Sequence, residues 1–268
     1  MSKLFIASVS VLALSAGAAF AQSLPLPNPG NVSNIFTNGT GNAASIDQAI
    51  GSGTSNTSTV YQGYNGNGNP ANYSSVDVGQ IGGNLSKITS TITQNDSYQK
   101  AYVRQDASIG GTQVSNITQT NYGNSASVQQ TTPNSGTIQH SNITQSGQNS
   151  SASVIQGGQA DTSTVVQTGN NSNASAAGYR YTGAAGTVAG GVSVNQGGWT
   201  TNTSTVTQHS DYSGVAVTQN GGGGYNWSNV TQTGSGNFAG VIQTAASSNN
   251  TSVVSQVGNG NTAGVYQH

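Results

Sequence analysis

The chain has no cysteine, so no disulfide framework holds it together. Charge is nearly absent as well: five Lys and Arg stand against six acidic residues, all Asp, and charged residues make up 4% of 268. That balance excludes an electrostatic grip on nucleic acid and a polybasic membrane patch, and it leaves little to oppose self-association. Histidine is scarce, and the three present are expected to face outward on a strand (His140), to lie in a turn (His209) and to end the chain (His268), with no carboxylate cluster beside them. No acid–base constellation for an enzyme follows. The Asp residues lack the period of Ca²⁺-binding nonapeptide repeats, so neither a metal nor a cofactor is expected. Long apolar runs are missing except for "LFIASVSVLAL" at 4–14, which is too short to span a bilayer. Lys3 precedes this run and Ala19-Phe20-Ala21 follows it in a small-x-small pattern. Residues 1–21 therefore read as a signal peptide and 22–30 as a short N-terminal segment, which makes the chain exported, without membrane insertion.

What fills the chain is Gly, of which there are 38, together with Asn, Gln, Ser and Thr arranged in a repeat. "QTGSGNFAGVIQ" at 232–243 returns as "QVGNGNTAGVYQ" at 256–267. Seventeen times a Val or Ile stands two residues before a Gln, at Gln48, Gln62, Gln80, Gln94, Gln105, Gln119, Gln130, Gln145, Gln156, Gln167, Gln196, Gln208, Gln219, Gln232, Gln243, Gln256 and Gln267. Four residues before each Gln, Ala or Val (Ala44, Val76, Ala101, Ala126, Ala152, Val192, Val215, Ala239, Ala263) alternates with Ser (Ser58, Ser90, Ser115, Ser141, Ser163, Ser204, Ser228, Ser252). Two strand types take turns.

Side chains alternate along a strand, so the residues at minus four, minus two and zero share one face. That face carries a small residue, a β-branched residue and an amide, with Asn frequent at minus six (Asn42, Asn124, Asn237, Asn261). The apolar core row is Val60, Ile92, Val103, Ile117, Val128, Ile143, Val154, Val165, Val194, Val206, Val217, Val230, Val241, Val254 and Val265. From a Ser-type Gln to the next Ala-type Gln the spacing is 11 residues in six of eight cases, which leaves room for a turn. The two exceptions hold "GYNGNGNPANY" after Gln62 and a Gly/Ala/Tyr stretch around Arg180, both read as lengthened turns. "SNIFT" at 33–37 matches "SNITQ" at 115–119 with Thr37 in the Gln place, which brings the count to eighteen strands or nine two-strand coils over residues 31–268.

The period of 20–50 residues marks a solenoid. The expectation is an all-β, two-sheet parallel β-solenoid of about nine strand-turn-strand coils, cross-β in character, roughly 43 Å tall at about 4.8 Å per coil. Val would stack on Val, while Gln over Gln and Asn over Asn would pass amide hydrogen bonds along the axis. The two ends would be open sheet edges.

The pattern Gln-x-Gly-x-x-Asn-x-Ala-x-x-x-Gln is met in full by Gln232, Gly234, Asn237, Ala239 and Gln243, and again by Gln256, Gly258, Asn261, Ala263 and Gln267. It resembles the curlin repeat, and looser copies run from Gln119 to Gln130 and from Gln145 to Gln156. The resemblance implies an exported bacterial subunit that polymerises at the cell surface into curli-like functional amyloid fibres of the biofilm matrix and supports adhesion. It also implies a homopolymer, a nucleator subunit and an outer-membrane secretion pore as partners. The alternative is a monomeric β-solenoid that binds ice or acts as an adhesin through outward Thr rows such as Thr89, Thr91 and Thr93, or Thr203, Thr205 and Thr207. Those rows are interrupted by Asn116, His140, Asn142, Trp227 and Asn229. Outward Tyr61, Tyr102, Tyr266 and Trp227 are read as cross-strand packing before any contact with polysaccharide.

Overall fold

The computed structural model describes residues 30–51, 54–63, 72–107, 110–132, 135–171, 191–244 and 249–268. The stretch 1–21 expected to be a signal peptide, the segment 22–30 apart from Gly30, and most of the two insertions near Tyr64 and Arg180 lie outside them. The described residues form eighteen strands, of which the first six are β1 (Asn31–Thr37), β2 (Ala43–Ile50), β3 (Ser55–Gln62), β4 (Ser75–Gly82), β5 (Lys87–Gln94) and β6 (Lys100–Ala107). Then come β7 (Gly111–Gln119), β8 (Ser125–Thr131), β9 (Thr137–Gln145), β10 (Ser151–Gln156), β11 (Ala160–Gln167) and β12 (Gly191–Gly198). The last are β13 (Thr201–Asp211), β14 (Gly214–Gly221), β15 (Tyr225–Ser235), β16 (Phe238–Gln243), β17 (Asn250–Val257) and β18 (Thr262–Gln267).

All odd-numbered strands form one nine-stranded sheet and all even-numbered strands the other, each in sequence order. The first sheet collects the Ser-type strands and the second the Ala-type strands, so the alternation in sequence becomes a segregation in space. Every pairing is parallel and in register with the repeat: Ser115, Ile117 and Gln119 lie on Ser141, Ile143 and Gln145, and Ala126, Val128 and Gln130 on Ala152, Val154 and Gln156. Register is enforced because a one-residue slip would expose the apolar row and bury the outward polar face. The core is that row from both sheets. Val60, Ile92, Val103, Val128, Val154, Val165, Val206 and Val230 have 0% exposure. Ile117, Ile143, Val194, Val217 and Val241 have 1%. Val254 reaches 5%, and Val265 in the last strand is only half-buried. The charged residues Asp47, Asp77, Lys100 and Arg104 point outward and are exposed.

The chain turns between sheets without interrupting the stacking. At the corner leading into each even strand, where the structure describes it, the residue at one equivalent position adopts positive φ: Gly41, Tyr73, Tyr98, Gly123, Asn149, Asn171, Tyr212, Gly236 and Gly260, with φ from 51° to 75°. Successive members are tied through the backbone, as in Tyr98 N–H to Asn72 O (2.9 Å), Asn171 N–H to Gln148 O (2.7 Å) and Gly260 N–H to Ser235 O (2.8 Å). Gly and Asn hold this conformation cheaply, and the three tyrosines hold it because the coils on either side fix them. Gly234, two residues after its Gln, is required for a second reason: a Cβ there would fall 2.0 Å from the Gly258 carbonyl of the next coil. One expectation fails here. His209 is not in a turn; β13 runs on to Asp211, and His209 lies in register with Thr233, its Nδ1 2.7 Å from Thr168 Oγ1.

Candidate functional site: the amide ladders and their open ends

The Gln at the end of each strand stacks on the Gln of the strand two positions along the chain. In the first sheet seven hydrogen bonds of 2.7–3.1 Å run from Gln62 through Gln94, Gln119, Gln145, Gln167, Gln208 and Gln232 to Gln256. In the second, eight of 2.6–3.0 Å run from Gln48 through Gln80, Gln105, Gln130, Gln156, Gln196, Gln219 and Gln243 to Gln267. In every one the Nε2 of the earlier coil donates to the Oε1 of the later coil, so both ladders are polar in the same direction. All of these glutamines are buried except Gln267, which is half-buried.

The same amides also brace one sheet against the other, which the repeat alone did not reveal. Gln80, Gln105, Gln130, Gln156, Gln196, Gln219 and Gln243 donate to the carbonyls of Thr57, Thr89, Val114, His140, Thr162, Thr203 and Trp227 in the facing sheet, at 2.9–3.3 Å. Gln94, Gln119, Gln145, Gln232 and Gln256 reach Ser75, Lys100, Ser125, Gly214 and Phe238 in the other direction, at 2.8–3.2 Å. In all of these except Gln256, one Nε2 hydrogen goes along the axis and the other goes across the coil, so both donors of the buried amide are satisfied.

The four asparagines expected to stack amide on amide do something else: they clamp the corner backbone. Asn124 Nδ2 donates to Thr120 O (2.6 Å) and Gly147 O (2.7 Å) while its Oδ1 accepts from Ser150 N–H (2.9 Å). Asn237 repeats this with Thr233 O, Gly258 O and Asn261 N–H. Asn42 binds Asn38 O and Ser74 N–H, and Asn261 donates to Val257 O. They stand where the strand begins, so orphan turn carbonyls are nearer than the next amide. A true asparagine relay exists in the first sheet. Asn250 donates to Asn226 (3.0 Å), Asn226 to Asn202 (2.9 Å) and Asn202 to the Asp161 carboxylate (2.8 Å), opposite in direction to the glutamines. Asp161 is fully buried and also accepts from Gly158 N–H (2.6 Å). Burial without a cation raises its pKa from 3.8 to about 6, against the lowering effect of these hydrogen bonds. Its inward parity, six residues before Gln167, was the signal that could have identified it.

The two ends of the stack differ. At the start, Thr37 lies where a Gln would stack on Gln62, and Gln62 Oε1 is buried without a partner. Gln48 Oε1 accepts from Ser33 Oγ (2.7 Å). At the finish, Gln256 and Gln267 have spent their acceptors on Gln232 and Gln243 but face no later coil. The second-sheet ladder thus begins in the first coil, at Gln48, whose Oε1 keeps one lone pair beyond Ser33, whereas the first-sheet ladder begins one coil further in, at Gln62 beneath Thr37. No family model, curated protein or solved structure matches this chain.

Proposed function

We propose that the chain is an exported structural subunit that polymerises end to end into curli-like amyloid fibres of the bacterial cell surface and biofilm matrix. The reading rests on the resemblance of its repeat to the curlin repeat and, in the structure, on one observation: two ladders of the same polarity both end at the last coil in glutamines whose acceptors are spent, and the second-sheet ladder begins at Gln48 in the first coil. β18 of one molecule can then add to β2 of the next, with Gln267 over Gln48, Val265 over Ile46 and Ala263 over Ala44, continuing the register already used eight times within the second sheet. A sheet edge with a full set of unpaired backbone groups is a template for such addition. The partners are further copies of the chain and, by the resemblance, a nucleator subunit and a secretion pore in the outer membrane. Support for the alternative ice-binding or adhesin reading is narrower. Among the described residues, outward threonines pair two at a time on two strand pairs, Thr57 and Thr59 over Thr89 and Thr91, and Thr162 and Thr164 over Thr203 and Thr205, and elsewhere singly, as in Thr93 over Thr118 over Thr144 and Thr207 over Thr231, so no flat multi-column array spans the sheet.

The test is seeded and unseeded dye-binding kinetics at matched concentration, with negative-stain micrographs of the product. Asn261→Ala with Gln267→Ala is expected to lengthen the lag more than Gln145→Ala, because the terminal pair acts at the docking step. A terminal double variant that polymerises like wild type while Gln145→Ala stalls would exclude coil-by-coil addition. Thermal hysteresis in a solution free of filaments would favour the ice-binding reading.

A further inference from the structure

The corner of positive-φ residues carries a row of tyrosines that the amide ladders do not explain. Tyr73 and Tyr98 stack with ring centroids 5.4 Å apart and an interplanar angle of 26°, and Tyr98 and Tyr122 lie 5.1 Å apart at 50°. Their positions are fixed by the fold: Tyr73 and Tyr98 have φ of 54° and 59°, their N–H groups donate to Thr40 O and Asn72 O at 2.9 Å, and the Tyr73 ring lies over Gly41, where a Cβ would come within 2.7 Å of it. Yet the rings are open to solvent, 58%, 49% and 47% exposed. Three phenols are thus held ring against ring, one per coil, where a reagent can reach them. Elsewhere Tyr61 stacks on Phe36 and Tyr266 lies tilted against His268.

We propose that Tyr73, Tyr98 and Tyr122 form an oxidative coupling site, at which a one-electron oxidant of the peroxidase class, using hydrogen peroxide, joins neighbouring rings into dityrosine and ties three coils covalently. Each phenol gives up one electron and its hydroxyl proton, which leaves a radical with spin at the ring carbons ortho to oxygen. Two such carbons on adjacent rings form a C–C bond, and the hydrogen on each moves to its oxygen and restores both aromatic rings. Two phenols and one hydrogen peroxide give one dityrosine and two waters. Tyr98 has two ortho carbons and a neighbour on each side, so it is the hub of both bonds. In a chain without cysteine this is a covalent cross-link that its own side chains can form.

Coupling within a dilute monomer needs no polymer, so the test separates from that of the fibre reading. Monomer is treated with peroxidase and hydrogen peroxide, dityrosine fluorescence is followed, and the product is digested with trypsin. Lys87, Lys100, Arg104 and Arg180 place Tyr73, Tyr98 and Tyr122 in three different peptides. The expected product has the mass of one chain less two hydrogens per bond, with peptide 88–100 joined to the peptide ending at Lys87 and to peptide 105–180. Tyr73→Phe should remove the first junction alone. Tyr98→Phe keeps the stacked ring and should reduce the yield to below half, whereas Tyr102→Phe should leave it unchanged. Retention of half or more of the yield in Tyr98→Phe, or a product with the mass of two chains, would overturn the proposal.

Discussion

An inner coil and the last coil carry the same kinds of residue at the same inward places and are not buried alike. In β9 and β10, Ile143 is 1% exposed and Val154 0%. In β17 and β18, Val254 is 5% exposed, Val265 half-buried and Tyr266 60% exposed. The difference is the absence of a coil above. A repeat therefore specifies only half of each coil's environment, and the other half comes from the neighbour. The last coil is a core residue set awaiting a lid, whereas an inner coil is finished.

The sharpest way to test this contrast is to put the same charge in both places. Val154→Asp should cost the monomer about 4 kcal/mol or more, since it buries an unpaired carboxylate, and it should abolish the cooperative unfolding transition followed by circular dichroism. Val265→Asp should move that transition by less than about 1 kcal/mol while blocking seeded elongation. A terminal variant as unstable as the inner one would show that the last coil is not open.

A smaller effect comes from the one inner carboxylate. The same column holds Asp161 in β11 and Asn250 in β17. The pKa of Asp161 is raised in the folded chain from 3.8 to about 6, so the folded state gains stability as it takes up the proton. Stability from this group is complete below about pH 4 and is lost as pH rises through about 6, a span of about 3 kcal/mol. Denaturant unfolding from pH 4 to 7 should therefore show wild type weakening, and Asp161→Asn, which makes the inner position like the terminal one, should flatten that dependence. An unchanged slope in Asp161→Asn would remove Asp161 as its source.

The smallest effect concerns serine. The hydroxyls of Ser58, Ser90, Ser115, Ser141, Ser163 and Ser252 are buried without a partner. Ser141→Ala should leave stability unchanged or raise it by up to about 1 kcal/mol, because an unpaired buried hydroxyl is removed at little loss of volume. Ser252→Ala, next to the open end, should gain less. A loss of more than about 1 kcal/mol in Ser141→Ala would mean that the hydroxyl has a partner after all.

The fold was legible because one period fixes everything at strand level. Val or Ile two residues before Gln sets inward parity, and the alternation of Ser115 with Ala126 assigns each strand to its sheet. Thr37 could be placed as a strand end because Ser33 and Ile35 kept that parity. Legibility ended where the determinant is a distance between sheets. Nothing along the chain says that Gln105 Nε2 reaches Thr89 O, since that depends on how far apart the two sheets settle. Asn124 was misassigned as an amide rung because it sits at the strand's first inward position, where unpaired turn carbonyls compete for its donors. The tyrosine row was hidden for a similar reason: Tyr73 and Tyr98 occupy a position that Gly or Asn fills in most other coils, and only the stacked corner explains how a bulky residue holds positive φ there.

The unbroken bonding through the corners gives the stack a mechanical character. Under tension along its axis, strand ladders, corner bonds and both glutamine columns between two coils are strained together, so they share the load as parallel springs do. A force applied to a free terminus meets the same bonds one after another and unwinds the chain like thread from a spool. Such a body resists stretching and yields to peeling from its ends. Covering those ends, whether by another copy or by a capping partner, strengthens it more than any change made in the middle.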